Sequence, residues 1–544
     1  MKKLTLLFLA ALSLLAQSPD PTRLGTLKIT GAEYRINNLQ VRGIPWAVDL
    51  WGTVFFPEGL PGGPYPLVLL LHGNSTICRI PGTRTATGSL IPPACPPGII
   101  QTPNHAGYDY LAGHLASHGY IVASINANSI NTRATAISER GRLVQEHLRF
   151  WEAWASREGG YPFGTQFAGK VDFSRVGLWG HSRGGEGVRA AYEFNRQERR
   201  PFQIKAVMEL GPVDFGRLTG TSFNPIFNVD NVAFSVLLPV CDRDVSDNSG
   251  MRAFDRGVRL PEAMNPSAKS QIYLFGSNHN FSNYEWNPED PLLRCIDYPV
   301  ITSRDEQADM VRVYTMGFFR TYLGGEDFRS LFTGDAPPPP QVWATTHLSF
   351  QESASRVLTV EDFRTPLPRP DAPRVNNLGG DTRFTNLTAS VCAGGACNAR
   401  LPGDWYHDES VRAALIEWPN DDRAGTPVLS TALGVDGLPR DVSGFSHFAF
   451  RGALRFDPLN PAQMSVSIRL TDLQGKTATV RANSPAQQIP FPTGSLFRRA
   501  VLKTVRVPLA GFTGVDLKQV ARVEILFNGH HAGAMYVTEL HFTN

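Results

Sequence analysis

Short apolar runs recur through the first part of the chain, at Pro66 to Leu71, Tyr120 to Ile125, Arg175 to Trp179, Ala206 to Leu210, Phe234 to Leu238 and Gln271 to Phe275. Both alternating faces of each run are apolar, which predicts strands buried inside a parallel sheet. Between them, Gly141 to Trp154 sets Leu143, Val144, His147, Leu148, Trp151 and Trp154 at helical spacing. Arg304 to Leu323 predicts another helix, with Thr302 or Ser303 as N-cap and Gly324 as its stop. Strands alternating with helices over residues 27–333 predict an α/β fold, a mostly parallel sheet flanked by helices.

The pattern changes after Ala336-Pro337-Pro338-Pro339-Pro340, a run that favours extended polyproline II. Residues 334–341 are therefore expected to be a stiff linker. Beyond it Met464, Val466, Ile468 and Leu470 alternate with Ser465, Ser467 and Arg469. Val505, Val507 and Leu509, then Val523, Ile525 and Phe527, repeat that period of two. Residues 342–544 are expected to form an all-β sandwich.

At the start, Lys2 and Lys3 precede a wholly or nearly apolar run from Leu4 to Leu15. That run is shorter than the roughly 20 residues a membrane span needs and reads as a signal peptide over residues 1–18. A secreted or periplasmic protein without stable membrane insertion is expected. The six cysteines fit that compartment and fall into sequential pairs, Cys78 with Cys95, Cys241 with Cys295, and Cys392 with Cys397. Other pairings are open from spacing alone. No metal site or cofactor is expected. The 544 residues carry 52 Lys plus Arg against 49 Asp plus Glu, and this near balance argues against a nucleic-acid partner.

Candidate chemistry centres on Gly180-His181-Ser182-Arg183-Gly184, which follows a strand-like run and precedes a helix-compatible one. Strand, tight turn and helix are the context of a nucleophile elbow, in which small residues flank an exposed serine at a helix N-terminus. A serine hydroxyl needs a base, and the base an orienting acid, in the order Ser…Asp…His. His279 sits just past the strand-like run ending at Phe275. The loop after Phe234 to Leu238 offers Asp242, Asp244 and Asp247; with Cys241 in the place of the glycine of a Gly-x-x-Asp turn, the register selects Asp244, with Asp242 as the fallback. Backbone N–H groups of Arg183 and of Asn74, or of Ser75 beside it, are candidates for an oxyanion hole. His72 is expected to brace that loop. Residues 75–101 are long enough to form a lid or substrate loop.

On His72-Gly73, Gly180 to Gly184, Asp244 and His279, residues 30–333 resemble the α/β-hydrolase superfamily. The Gly-His-Ser-Arg-Gly-Gly run and Leu115 to Val122 are similar to chlorophyllase, dienelactone-hydrolase-like and platelet-activating-factor-acetylhydrolase-like esterases. Arg183 stands where secreted polyester hydrolases carry Met, Glu209-Leu-Gly-Pro212 lacks their Trp, and Ser182-Arg183 is similar to glucuronoyl esterases. The resemblance implies a serine esterase acting on small or polymeric esters, with a lipase, a polyester hydrolase or an inactive binding protein as alternatives. Val505 to Leu517 and Met535 to Leu540 resemble a galactose-binding-like jelly roll, which implies a carbohydrate ligand. Trp405, Tyr406 and Trp418 offer faces for sugar rings, against a plainer role as core aromatics; His530-His531 reads as an exposed turn.

Overall fold

Apolar strands with no polar face can be buried only between two layers, and the chain builds its largest sheet that way. The computed structural model describes residues 20–85, 95–131, 133, 136–216, 225–258, 267–287, 302–336, 338–342, 345–351, 357–364, 374–393, 397, 405–419, 425–493 and 498–544. The expected signal peptide and Cys295 lie outside the described residues.

The large sheet takes β1 (Ile29–Leu39), β2 (Val48–Pro57) and β3 (Tyr65–Leu71), then, after a small ribbon of β4 (Cys78–Arg79) and β5 (Ile100–Gln101), β6 (Ile121–Ile125). It continues with β7 (Val171–His181), β8 (Ile204–Leu210), β9 (Ala233–Pro239), β10 (Lys269–Leu274) and β11 (Thr345–Gln351). Their order across the sheet is β1-β2-β6-β3-β7-β8-β9-β10-β11. From β6 to β10 every pairing is parallel, and β1, β2 and β11 add antiparallel edges.

Alternation along β3 sends Leu67, Leu69 and Leu71 into one core, with Val68 and Leu70 into the other. The first core is covered by α2 (Ile137–Trp154), α3 (Arg183–Arg196) and α4 (Gly250–Val258) through Leu148, Trp151, Val188 and Phe254. The second is covered by α1 (Asp109–Ser117) and α5 (Arg304–Tyr322) through Leu111, Leu115, Val311 and Phe319. Ser303 closes a capping box with Glu306 at the start of α5. A short α6 (Ser330–Thr333) follows.

The proline run is not a free spacer. Val342, at its end, is fully buried in the second core, and Arg506 holds Asp335 at 3.1 Å. The next segment, β11, pairs with β10, so the sheet extends past the expected boundary at residue 342. Strand pairing between distant segments leaves no local trace in the sequence.

The remaining chain forms antiparallel sheets. One joins Val357–Glu361, Thr388–Ala393, Arg412–Trp418, His447–Leu454, Lys503–Pro508 and Gly533–Thr543. The other joins Arg374–Val375, Asp381–Thr385, Val428–Ala432, Val466–Asp472, Thr477–Ala482 and Val520–Leu526. Ile416, Phe448 and Val537 from the first meet Leu429, Ile468 and Ile525 from the second in one core, the packing of a β-sandwich. Trp405 and Trp418 are core residues, each 2% exposed. Trp405 packs on His407 and Tyr536, and Tyr406 lies under Arg499. None of the three presents an open face for a sugar ring. A cleft of about 620 Å³ in this part of the chain is lined by Asn386, Thr426, Asn528, His530 and His531, remote in sequence from Ser182.

A buried ionic contact joins the two parts. Asp255 on α4 accepts from His407 Nδ1 at 2.7 Å, from the Asp408 N–H at 3.1 Å and from Arg451 at 2.8 Å. Arg256 adds Asp408 at 2.9 Å. Cys78–Cys95 and Cys392–Cys397 are disulfides. Cys241 is also disulfide-bonded, and its expected partner is Cys295. Among the described residues no helix is long and apolar enough to cross a membrane.

Candidate active site

Chain order makes the site. From β3 the chain moves to β6 on one side, then returns past β3 to β7 and proceeds the other way. The strand order therefore reverses between β3 and β7, and in parallel sheets the crevice at the C-terminal ends of such strands is where ligands bind. Gly73 follows β3 and Ser182 follows β7.

Ser182 holds φ 58 and ψ −128, a conformation costly for a residue with a side chain. Its neighbours explain how it is kept. A methyl on Gly180 would lie 2.3 Å from the Gly184 oxygen, and one on Gly184 would lie 2.4 Å from the Leu71 oxygen. Only glycine fits either place. The Ser182 N–H donates to the Leu210 oxygen at 2.9 Å, and α3 begins at the next residue. The positive end of the helix dipole thus lies beside the hydroxyl.

Gly73 passes so close that a methyl there would lie 2.5 Å from Ser182 Cβ and 3.0 Å from its Oγ. His72 fixes this loop. Its Nε2 accepts the Ala127 N–H at 2.8 Å, so the proton is on Nδ1, which donates to the Gly73 oxygen at 2.7 Å. Burial, with Arg140 adding to it, holds this imidazole well below the usual range and therefore neutral. The expected bracing role fits that geometry. Arg140 donates to the His72 oxygen at 3.3 Å and to Asn131 Oδ1 at 2.6 Å, while Asn131 donates to the Ser75 oxygen. Asn74 follows Gly73, and Arg183 is the first residue of α3. The two backbones expected to form an oxyanion hole therefore flank the serine.

His279 lies beyond β10 and is 3% exposed. Its ring packs 4.8 Å from that of His181, the residue before the serine. Gly211, which follows the acceptor of the Ser182 N–H, closes the other side; a methyl there would lie 3.6 Å from His279 Nδ1 and 3.0 Å from Asp242 Oδ2. Trp286 stacks on both imidazoles, at 4.8 Å from His181 and 6.0 Å from His279. His181 Nδ1 bonds the Tyr108 hydroxyl at 2.8 Å, and burial keeps this imidazole neutral. Tyr108 and Trp286 form a wall that no local motif announced.

The carboxylate at His279 Nδ1 is that of Asp242, not of the expected Asp244. Asp242 Oδ2 stands 2.6 Å from His279 Nδ1, while its Oδ1 accepts the N–H groups of Asp244 at 2.9 Å and Val245 at 2.7 Å. Cys241 N–H, bonded to the Ser277 oxygen, ties this turn to the histidine loop. The turn directs Asp242 inward, 1% exposed, and leaves the Asp244 side chain 53% exposed. Asp244 reaches the opposite ring nitrogen, with Oδ2 3.3 Å from Nε2. Asp247 caps the turn into α4, accepting from Ser249 N–H and Arg252.

Beneath the elbow lies a buried ionic cluster. Arg189 bonds Glu209 at 2.7 Å and Asp214 at 2.9 Å, and Arg256 bonds Asp214 at 2.7 Å. Burial pushes Glu209 up to about 7, opposed by Arg189. Asp214 is held below the usual carboxylate range because its two arginines outweigh burial. The described ends of the 75–101 segment are anchored by Asn131 on Ser75, Asn104 on Thr76, the Cys78–Cys95 bridge and an Arg79–Glu285 ion pair. Residues 86–94 lie outside the described residues.

No protein-family model matches the chain, and no curated protein sequence matches it. An imidazole oriented by a carboxylate, beside a serine held at a helix N-terminus, is equipment for base-assisted nucleophilic attack.

Proposed function

We propose that the protein is an extracytoplasmic serine hydrolase of the α/β-hydrolase type that cleaves carboxylic esters. The observation that carries the reading is the 2.6 Å contact of Asp242 with His279, whose ring packs on His181, the residue before a Ser182 held at φ 58. Ser182 Oγ attacks the ester carbonyl carbon as His279 Nε2 takes its proton. Asp242 keeps the proton on Nδ1 and stabilises the imidazolium. N–H groups at Asn74 and Arg183 receive the developing oxyanion. The carbon–oxygen bond to the alcohol breaks as His279 returns the proton to the leaving oxygen. Water, activated by the same imidazole, then releases the acid from Ser182. The described disulfides suit an oxidising compartment.

The test is a panel of p-nitrophenyl esters of graded chain length, with triglyceride, polyester and acetylated xylan beside it. The protein should hydrolyse at least the short esters, and Ser182→Ala should lose about 10⁶-fold in rate. Near-native turnover by a folded Ser182→Ala protein would refute the reading.

A further inference from the structure

The carboxylate of Asp244 has no place in the scheme above, yet its Oδ2 stands 3.3 Å from Nε2, the working nitrogen of the base. His279 is held between two aspartates, one at each ring nitrogen: Asp242 at Nδ1, 2.6 Å away and buried, and Asp244 at Nε2, 3.3 Å away and half exposed. Neutral imidazole can satisfy only one of them as a donor. Imidazolium carries a proton on each nitrogen, and its positive charge is drawn to both. Other titratable groups come from neighbouring elements. From β7 comes His181, neutral in its bond to Tyr108. From the start of α3 comes Arg183, whose interaction with Asp244 opposes the effect of burial on its own charge. Trp286 contributes an uncharged face.

Resting on the reading of His279 as the base, we propose that Asp244 is a positioning residue that grips the protonated ring through Nε2. In acid the ring is thereby held as imidazolium, both protons engaged, and cannot accept the serine proton. As pH rises the Nε2 proton leaves, the second grip is lost, and Nε2 becomes available to Ser182. Arg183, drawing on the same carboxylate, moderates the grip. Asp244 therefore sets where on the pH scale the site switches on, while Asp242 determines whether it works at all.

The experiment follows the pH dependence of Ser182 phosphonylation by a fluorophosphonate, and of kcat/KM for a short p-nitrophenyl ester, each normalised to its own plateau. Asp244→Asn and Asp244→Ala should both move the acid limb to lower pH by about half to one unit, the range for a partly exposed ion pair. Raising sodium chloride from 0.05 to 0.5 M should move the wild-type limb the same way and the variants less, because screening weakens an exposed contact. An unmoved limb in both variants, or a limb moved to higher pH, overturns the proposal. So does a loss of plateau activity as deep as that of Asp242→Asn. Absence of any phosphonylation of wild-type Ser182 is a separate failure, of the hydrolase reading itself.

Discussion

Asp242 and His279 meet at 2.6 Å although they sit on loops after different strands, β9 and β10, which run parallel and adjacent in the sheet. Their contact is built from the backbone. Val240 N–H bonds the Leu274 oxygen and Cys241 N–H bonds the Ser277 oxygen, so the two loops leave the sheet as one unit. That arrangement makes the identity of the acid a matter of turn geometry, and it can be tested by exchange.

Asp242→Asn should lower kcat by about 10⁴ while the protein stays folded, since the amide oxygen can still accept the Asp244 and Val245 N–H groups. The amide N–H₂ would face Nδ1 and favour the wrong tautomer. Steady-state ester hydrolysis and circular dichroism check this. A kcat within tenfold of wild type would return the role to Asp244.

Gly73→Ala should abolish most activity, because the methyl would meet Ser182 Cβ at 2.5 Å and the His181 oxygen at 2.9 Å. Gly184→Ala should also destabilise the fold by about 1–3 kcal/mol, as its methyl would meet backbone oxygens that cannot yield. Gly444→Ala, with open space around it, is the control and should leave both activity and denaturation midpoint alone. Urea unfolding and turnover measured side by side give the answer.

Asp255→Ala should cost about 3–5 kcal/mol, because it leaves His407 in the interior without its carboxylate and Arg451, 1% exposed, with the longer contact to Glu539. The loss should show in the unfolding transition of the whole chain, since α4 and the sandwich share the contact. A transition at the wild-type denaturant concentration would contradict the joint.

Acid should weaken the fold through its buried histidines. Burial pushes His105 and His147 down to about 3 and holds His72 and His181 well below their usual range. In the unfolded chain each takes a proton near pH 6.5, whereas the folded protein refuses it. Stability is therefore full above about 6.5 and is lost as pH falls towards 3, by about 1.4 kcal/mol per unit for each such histidine. Asp109, Glu186 and Glu209, pushed up to about 7 by burial, act in the opposite sense below about 7 but are fewer. Denaturation midpoints at pH 7 and 5 should fall in that order; a midpoint rising towards pH 5 would contradict it.

The elbow was legible in the sequence because its parts are consecutive. A buried run, two flanking glycines and a helix-compatible stretch all lie between Val171 and Arg196. His279 was legible by its place after a strand-like run. The choice between Asp242 and Asp244 was not, because both lie on one short loop. It turns on which carboxylate oxygen caps that loop, a matter of two N–H bonds at 2.9 and 2.7 Å. The edge strand β11 was hidden for a different reason. It lies 71 residues past the strand it pairs with, across a proline run that reads as a boundary (Leu274 to Thr345). Trp405 and Trp418 take the plainer of their two readings, as core aromatics, which composition alone leaves beside the sugar-stacking one because it carries no information on burial.

The most direct measurement of the central claim is intact-protein and peptide mass spectrometry after reaction with a fluorophosphonate. One adduct per chain is expected, on the peptide holding Ser182, and it should be absent from Ser182→Ala and strongly slowed in His279→Ala. A folded wild-type protein that takes no label, or takes it at another residue while Ser182 stays unmodified, contradicts the account.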